Sequence, residues 1–273
     1  MNKEPNYLKN MNSILTSAEG VMKRVESGEV GLKSGFKQID TMLGGFGNRE
    51  LTLIAGSPGS GKSTFLLQLA MNIAEQNKKV LLITYEVFQD EIGINMLSNK
   101  TQLNSMIFKT KKITKDIDKA KIKKAKAELI ELPLFVIDEN IPMEKIELVI
   151  EELKPNILML DYIDIMPEMS SSENTHEALS SIMRGLLQIT KTYNIPVVAV
   201  TAMNREASKR TILNFKLSDL KGSGSKEYDA HRVFFIWSVD DVLTVDVKKN
   251  RNGPSGLQME HNFQKQYHLI KDL

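Results

Sequence analysis

The chain has 273 residues with 36 basic and 34 acidic side chains, so no global charge marks it for nucleic acid, and any such surface has to be a local patch. It contains no cysteine, which excludes a disulfide framework and thiolate metal sites and suits a reducing cytoplasm. No run approaches the roughly twenty apolar residues of a membrane span, and the N-terminal MNKEPNYLKN lacks the apolar core of a signal peptide, so a soluble cytoplasmic protein is expected.

No Pro/Gly/Ser-rich linker divides the sequence and no repeat of solenoid period is present. The expected organisation is an N-terminal arm over residues 1–30 and a single core over 31–273. In the arm, Ile14, Leu15, Ala18, Val21, Met22 and Val25 recur at helical spacing from Ser13 onward, with Gly28 placed as a C-terminal cap. This amphipathic helix either packs on its own domain or lays its apolar stripe on a neighbouring copy. A short helix around Phe36 to Leu43 and a glycine-rich turn follow.

The stretch LTLIAGSPGSGKS, Leu51 to Ser63, reads as a buried strand breaking into the phosphate-binding pattern GxxxxGK[ST] over Gly56, Ser57, Pro58, Gly59, Ser60, Gly61, Lys62 and Ser63. Thr64 to Ala74 continues as a helix. Glycines let the backbone curl so that successive N–H groups face phosphate oxygens, and the helix dipole adds positive potential. In that chemistry Lys62 reaches the β and γ phosphates and the Ser63 hydroxyl ligates Mg²⁺, with Thr64 closing the cradle.

Val80 to Thr84 is a continuous apolar run of the kind buried on both faces, and Glu86 lies just past its end. Ligands of open parallel sheets bind at carboxyl strand ends, so this carboxylate is expected to face the γ-phosphate. The lysine-rich region from Lys109 to Glu131 reads as one or two helices with a solvated basic face, without the aromatics that base stacking would use. Leu134 to Ile137 is expected to be a short buried strand, followed by a helix from Met143 to Leu153.

Asn156 to Asp161 reads as a strand ending in an acid, the pattern that sets a carboxylate beside Mg²⁺. A helix ending near Tyr193 leads to a buried strand, Pro196 to Val200, and then to Thr201-Ala202-Met203-Asn204-Arg205. Glu206 to Tyr228, with Arg210, Lys216, Lys221 and Lys226, reads as mobile loops on one edge. Val233 to Trp237 is a strand; Val242 to Lys248 and Gly256 to Phe263 pair across the turn Asn250 to Pro254. The four histidines, His176, His231, His261 and His268, lack metal-ligand clustering and read as structural or surface residues. Together these elements predict an α/β fold, a mainly parallel sheet flanked by helices with antiparallel strands at the C-terminus.

Several segments in this order resemble the C-terminal motor domain of the DnaB-type hexameric replicative helicases, a RecA-like P-loop NTPase. They are GLKSGFKQIDTMLGGF, AGSPGSGKST, ITYEVF, LMLDYIDIM, VTAMNREASKR, LSDLKGSGSKEYDAHRV and VKKNRNGPSG, spanning Gly31 to Phe263. The resemblance implies an ATP-driven helicase forming a hexameric ring and moving 5′ to 3′ on single-stranded DNA, with a primase or a loader as partner. It implies that Lys62 and Ser63 hold phosphate and Mg²⁺, Asp161 supports the metal and Glu86 polarises the attacking water. Lys249 and Arg251 would act in trans as the finger of the adjacent subunit, and Arg210, Lys221, Gly222, Ser223 and Gly224 would contact DNA.

A finger in trans also has a physical reason: cleavage at the γ-phosphate needs positive charge that arrives when a neighbour docks, worth about 10³–10⁵ in rate. Three features depart from the family pattern. Lys221-Gly222 replaces the usual Arg-Glu pair, Ala202 replaces a glutamine that senses the γ-phosphate, and the N-terminal collar that engages primase has no counterpart in this sequence. Two alternatives go with this reading: a recombination ATPase that binds DNA without unwinding it, or a non-hydrolysing accessory or loading factor.

Overall fold

Four short runs dominated by Val, Leu and Ile, each bounded by turn residues, supply the centre of the sheet: β1 (Leu51–Gly56), β2 (Val80–Thr84), β4 (Ile157–Asp161) and β5 (Val197–Ala202). Residues of this kind fit a pleated layer covered on both sides. A computed structural model describes residues 11–26, 31–110, 113, 115–168, 174–207 and 214–273. In it these strands join β3 (Leu134–Ile137), β6 (Arg232–Val239), β7 (Val242–Asn250), β8 (Leu257–Gln264) and β9 (Leu269–Asp272) in one sheet of order β3-β2-β4-β5-β1-β6-β7-β8-β9. The pairs from β3 to β6 are parallel, and β6 to β9 are antiparallel.

Alternation along the strands divides the core into two layers. Ile54, Val80, Leu82, Met159 and Val200 face α3 (Lys62–Glu75), whose Phe65, Leu66, Leu69, Ala70 and Ile73 are buried against them, and α2 (Lys37–Leu43) completes that side. Leu53, Ala55, Ile83, Leu160 and Ala199 face the other way, onto α7 (Met143–Leu153) and α8 (Thr175–Tyr193). α8 begins on a capping side chain: Asn174 accepts from the backbone N–H of His176.

Several expectations change. β3 is an edge strand, with Phe135 and Val136 exposed rather than buried, because among the described residues it pairs with β2 alone. Residues 87–108, for which the sequence predicts no element, contain α4 (Gln89–Thr101) and the start of α5 (Ser105–Thr110), and β9 adds a further strand. The segment read as mobile loops is built into the fold from residue 214 onward: Phe215 and Leu220 are buried, and α9 (Ser223–Asp229) carries a fully buried lysine, Lys226. The lysine-rich helix α6 (Asp116–Ile130) does present a solvated face, with Lys119 and Asp116 paired at 3.0 Å.

In the arm, α1 (Met11–Glu26) exposes Met11, Ile14, Leu15, Val21 and Met22, which argues against packing on its own domain; Gly28 and Arg210 lie outside the described residues. His231 and His261 have structural settings. The His231 ring accepts the Leu51 N–H at 3.2 Å, and the buried His261 ring lies 4.8 Å from that of Phe36. No described helix is long and apolar enough to cross a membrane.

Candidate active site

Strand register brings the functional ends to one edge. Gly56 is paired with Ala202 and Thr84 with Asp161, so the phosphate loop, the Glu86 segment, Asp161 and the exit of β5 all leave the sheet on its carboxyl side. Two glycines shape the loop, Gly59 at φ 75° and Gly61 at φ 98°, in a region that other residues enter with strain. At Gly56 the restriction is space: a Cβ would lie 2.5 Å from the carbonyl oxygen of Ile236. Ser60 N–H donates to Ser57 O at 3.1 Å, and Gly61 caps α3 with Lys62 as its first residue.

The Lys62 ammonium donates to the carbonyl oxygens of Gly56 and Ser57, both at 2.9 Å. Burial lowers its pKa, while Asp161, Glu86 and Asp164 oppose that shift and favour the charged form. Gly56, Pro58, Lys62, Glu86, Tyr162, Ala202 and Arg205 line a cavity of about 370 Å³ beside the loop. Glu86 itself is exposed, and Thr84 Oγ1 orders its segment by accepting the N–H groups of Glu86 and Val87 at 3.3 and 3.0 Å.

Asp161 is buried, and its Oδ1 has no hydrogen-bond partner. Burial pushes its carboxyl up to about 6; hydrogen bonding from Ser63 opposes this, Glu86 adds to it and Lys62 counters it. A buried acceptor left open next to a hydroxyl fits a divalent cation held by Ser63 and Asp161. Without a cation the carboxylate is costly to fold. An acid whose folded pKa lies above its unfolded value of 3.8 is least costly below that value and loses stability as pH rises through about 6. Asp161→Asn is therefore expected to raise the thermal midpoint at pH 7.5 without nucleotide, by up to about 3 kcal/mol of stability. The gap should close as the pH falls below about 4, and thermal unfolding across pH checks it.

The two finger candidates lie at the other edge. Lys249 and Asn250 pair with Val233 and Arg232 at the start of β6, and Arg232 is in register with Thr52 at the start of β1. From Thr52 to Gly56 the strand advances by about 13 Å before the phosphate loop begins. Lys249 and Arg251 thus sit at the opposite strand ends from the loop of their own chain. Their head groups rest on α9: Lys249 Nζ donates to the Glu227 carbonyl and Arg251 to that of Tyr228. A buried Arg232–Glu50 pair at 3.1 Å and a hydrogen bond from Asn252 to Glu50 anchor this turn to the start of β1.

The DNA-loop candidates return to the carboxyl edge. Lys221 is exposed, and its N–H donates to Ala202 O at 3.1 Å. Gly222 has φ 66°, and a Cβ there would sit 2.4 Å from Leu179 Cδ2, so the residue that departs from the family pattern suits its own packing. Ser223 and Gly224 open α9. Sequence reasoning missed Asp164, Thr201 and Lys226, which form a buried polar cluster behind this loop. The only signal for Lys226 is a cation in a polar segment, which ordinarily means solvent.

A parallel sheet of order 3-2-4-5-1-6 with a phosphate-loop motif after β1 and acids just past β2 and at the end of β4 defines a RecA-like P-loop fold. The family model for the DnaB-like helicase C terminal domain matches residues 31–272, and the chain belongs to that family. It is 30% identical over 89% of its length to a probable replicative DNA helicase of Trieres chinensis, and 27% identical over 99% to the replicative DNA helicase DnaB of Geobacillus stearothermophilus. It spans 58% and 63% of those relatives' lengths.

The fold is shared with a DnaB-like replicative helicase whose structure describes its interactions with primase, at TM-score 0.88, 23% identity and coverage of 97% of this chain and 67% of that one. It is also shared with a separately solved ATPase domain, at TM-score 0.89, 24% identity and coverage of 97% and 100%. The family to which the chain belongs is described as a helicase domain and not as a recombination ATPase, and a domain of this family implies the use of nucleotide.

Proposed function

We propose that this chain is the ATP-hydrolysing motor of a replicative DNA helicase, which assembles with copies of itself into a ring, hexameric by resemblance, and moves 5′ to 3′ on single-stranded DNA. The observation that carries this reading is the division of the site: Lys62, Ser63, Glu86 and Asp161 gather at one edge of the sheet, and Lys249 and Arg251 lie at the other. Two copies stacked edge to edge bring one chain's finger pair to the next chain's phosphate cavity. The exposed apolar stripe of α1 supports such stacking, as an arm laid on the neighbour. The organisation expected of the chain, an arm over 1–30 and a motor over 31–273, follows the same division of labour.

In this reading the loop Gly56 to Thr64 cradles the phosphates and Lys62 leaves its two carbonyl partners to reach the β and γ groups. Ser63 and Asp161 hold Mg²⁺, which would neutralise charge on the phosphates when bound. Glu86 orients the attacking water, and the neighbour's finger completes the positive surround. Lys221, with Gly222, Ser223, Gly224 and Arg210, contacts the DNA backbone in the channel. Work of this kind belongs in the cytoplasm, with a primase or a loader as partner.

Strand displacement on a forked duplex tests the proposal. With ATP and Mg²⁺ the full chain is expected to release the strand from a fork bearing a 5′ tail and to be inactive with a non-hydrolysable analogue. Assembled protein whose hydrolysis does not respond to single-stranded DNA would overturn the motor reading in favour of an accessory role.

A further inference from the structure

Behind the exit of β5 lies a charged pair with almost no access to water: Lys226 Nζ is 2.6 Å from Asp164 Oδ1, with the two side chains 0% and 1% exposed. Both carboxylate oxygens and two of the three ammonium donors of the pair have partners. Asp164 Oδ2 accepts from the Thr201 hydroxyl at 2.8 Å and from the Ala202 N–H at 2.9 Å, and Lys226 Nζ also donates to Lys221 O at 2.8 Å. Three elements distant in sequence therefore meet here: the turn after β4, three residues beyond Asp161; the end of β5; and the loop that leads into α9.

Burying two charges costs more than burying a well-packed apolar pair, so stability alone gives no reason for ions at this place. Geometry does. Ala202 lines the cavity shared by Lys62 and Glu86, and it has no side-chain amide with which to report a bound phosphate. Its backbone is held on both sides, however: its N–H by Asp164 and its carbonyl by Lys221 N–H. A shift of that backbone when phosphate arrives or leaves moves Asp164, Lys226 and the Lys221 carbonyl together, because a tightly hydrogen-bonded buried network has few alternative arrangements. The far end of the same helix holds Lys249 and Arg251 through the carbonyls of Glu227 and Tyr228.

We propose that the Asp164–Lys226 pair is a positioning device through which the phosphate cavity at Ala202 sets the loop at Lys221, and α9 behind it. This inference rests on the motor reading above, since it assigns the loop a DNA-dependent role. Neither residue touches the reacting atoms; they act through the backbone of Ala202 and Lys221.

The informative variant is the double substitution Asp164→Asn/Lys226→Met. Lys226→Met alone strands a buried carboxylate and is expected to unfold, whereas the amide introduced at position 164 can still accept from Thr201 and Ala202 while the link to Lys221 is gone. The readout is the ratio of hydrolysis rates with and without single-stranded DNA, in protein shown by mass to be assembled. Loss of coupling takes this ratio to about one. A stimulated wild type with an equally stimulated double variant overturns this inference alone; a wild type without stimulation overturns the motor reading and this one with it.

A second measurement needs no variant. Hydrogen exchange on the wild-type chain without DNA is expected to show the amides of residues 220–229 slowing when a non-hydrolysable ATP analogue is added. Exchange unchanged across that segment, with the analogue bound at the phosphate loop, would overturn the inference even if the double variant does not fold.

Discussion

The Lys62→Ala protein is expected to hydrolyse ATP about 10²–10³ times more slowly than the wild type, because a preorganised cation at the developing charge is among the largest single contributions a site makes. The residue is ready for that role. Its ammonium is held over the loop by Gly56 and Ser57 at 2.9 Å, and Asp161 and Glu86 favour its charged form against burial. Its removal opens no cavity in the apolar core, since Lys62 only begins α3 and the buried side chains of that helix start at Phe65. Nucleotide affinity and turnover should fall together while the thermal midpoint stays close to the wild-type value. Binding of a fluorescent ATP analogue, measured beside the hydrolysis rate, checks this; wild-type turnover in the variant would remove the phosphate loop from the account.

Arg251→Ala should behave differently. Arg251 is exposed, it rests on the carbonyl of Tyr228, and it lies at the edge opposite the loop of its own chain. Nucleotide binding should therefore be preserved while turnover falls by about 10³–10⁵, the range associated with an arginine supplied by a neighbour. The same substitution should alter folding stability by less than about 1 kcal/mol, since an exposed contact of this kind contributes little. An Arg251→Ala protein that binds more weakly but turns over normally would contradict a finger role.

The contrast between these two residues shows which parts of the site a linear sequence can carry. The phosphate loop is legible because its chemistry is local: glycines, a lysine and a hydroxyl within eight positions, between an apolar run and a helix. Asp161 is legible for the same reason, as an acid at the end of an apolar strand. The turn carrying Lys249 and Arg251 can be read as a hairpin, but its distance from the loop depends on β6 running parallel to β1 and β7 turning back, which is a property of the whole sheet.

Lys226 is the least legible. A lysine between serine and glutamate reads as solvent-exposed, and its charge is met in the interior by Asp164, 62 positions earlier in the chain. Among the elements, α4 escapes because its buried positions are Ile92 together with the polar Ser98, Asn99 and Thr101, so no apolar stripe marks the helix. β3 is misread because an apolar run looks the same whether a strand has one partner or two.

The claim that this chain holds half of a site on each of two edges is tested most directly by mixing the two inactive proteins. Lys62→Ala chains keep the finger, and Arg251→Ala chains keep the phosphate loop. Where the second sits beside the first in a mixed assembly, whose composition native mass measurement establishes, an intact site forms. ATP hydrolysis above that of either protein alone is the predicted result. Mixed assemblies that form and yet hydrolyse no faster than their components would contradict it.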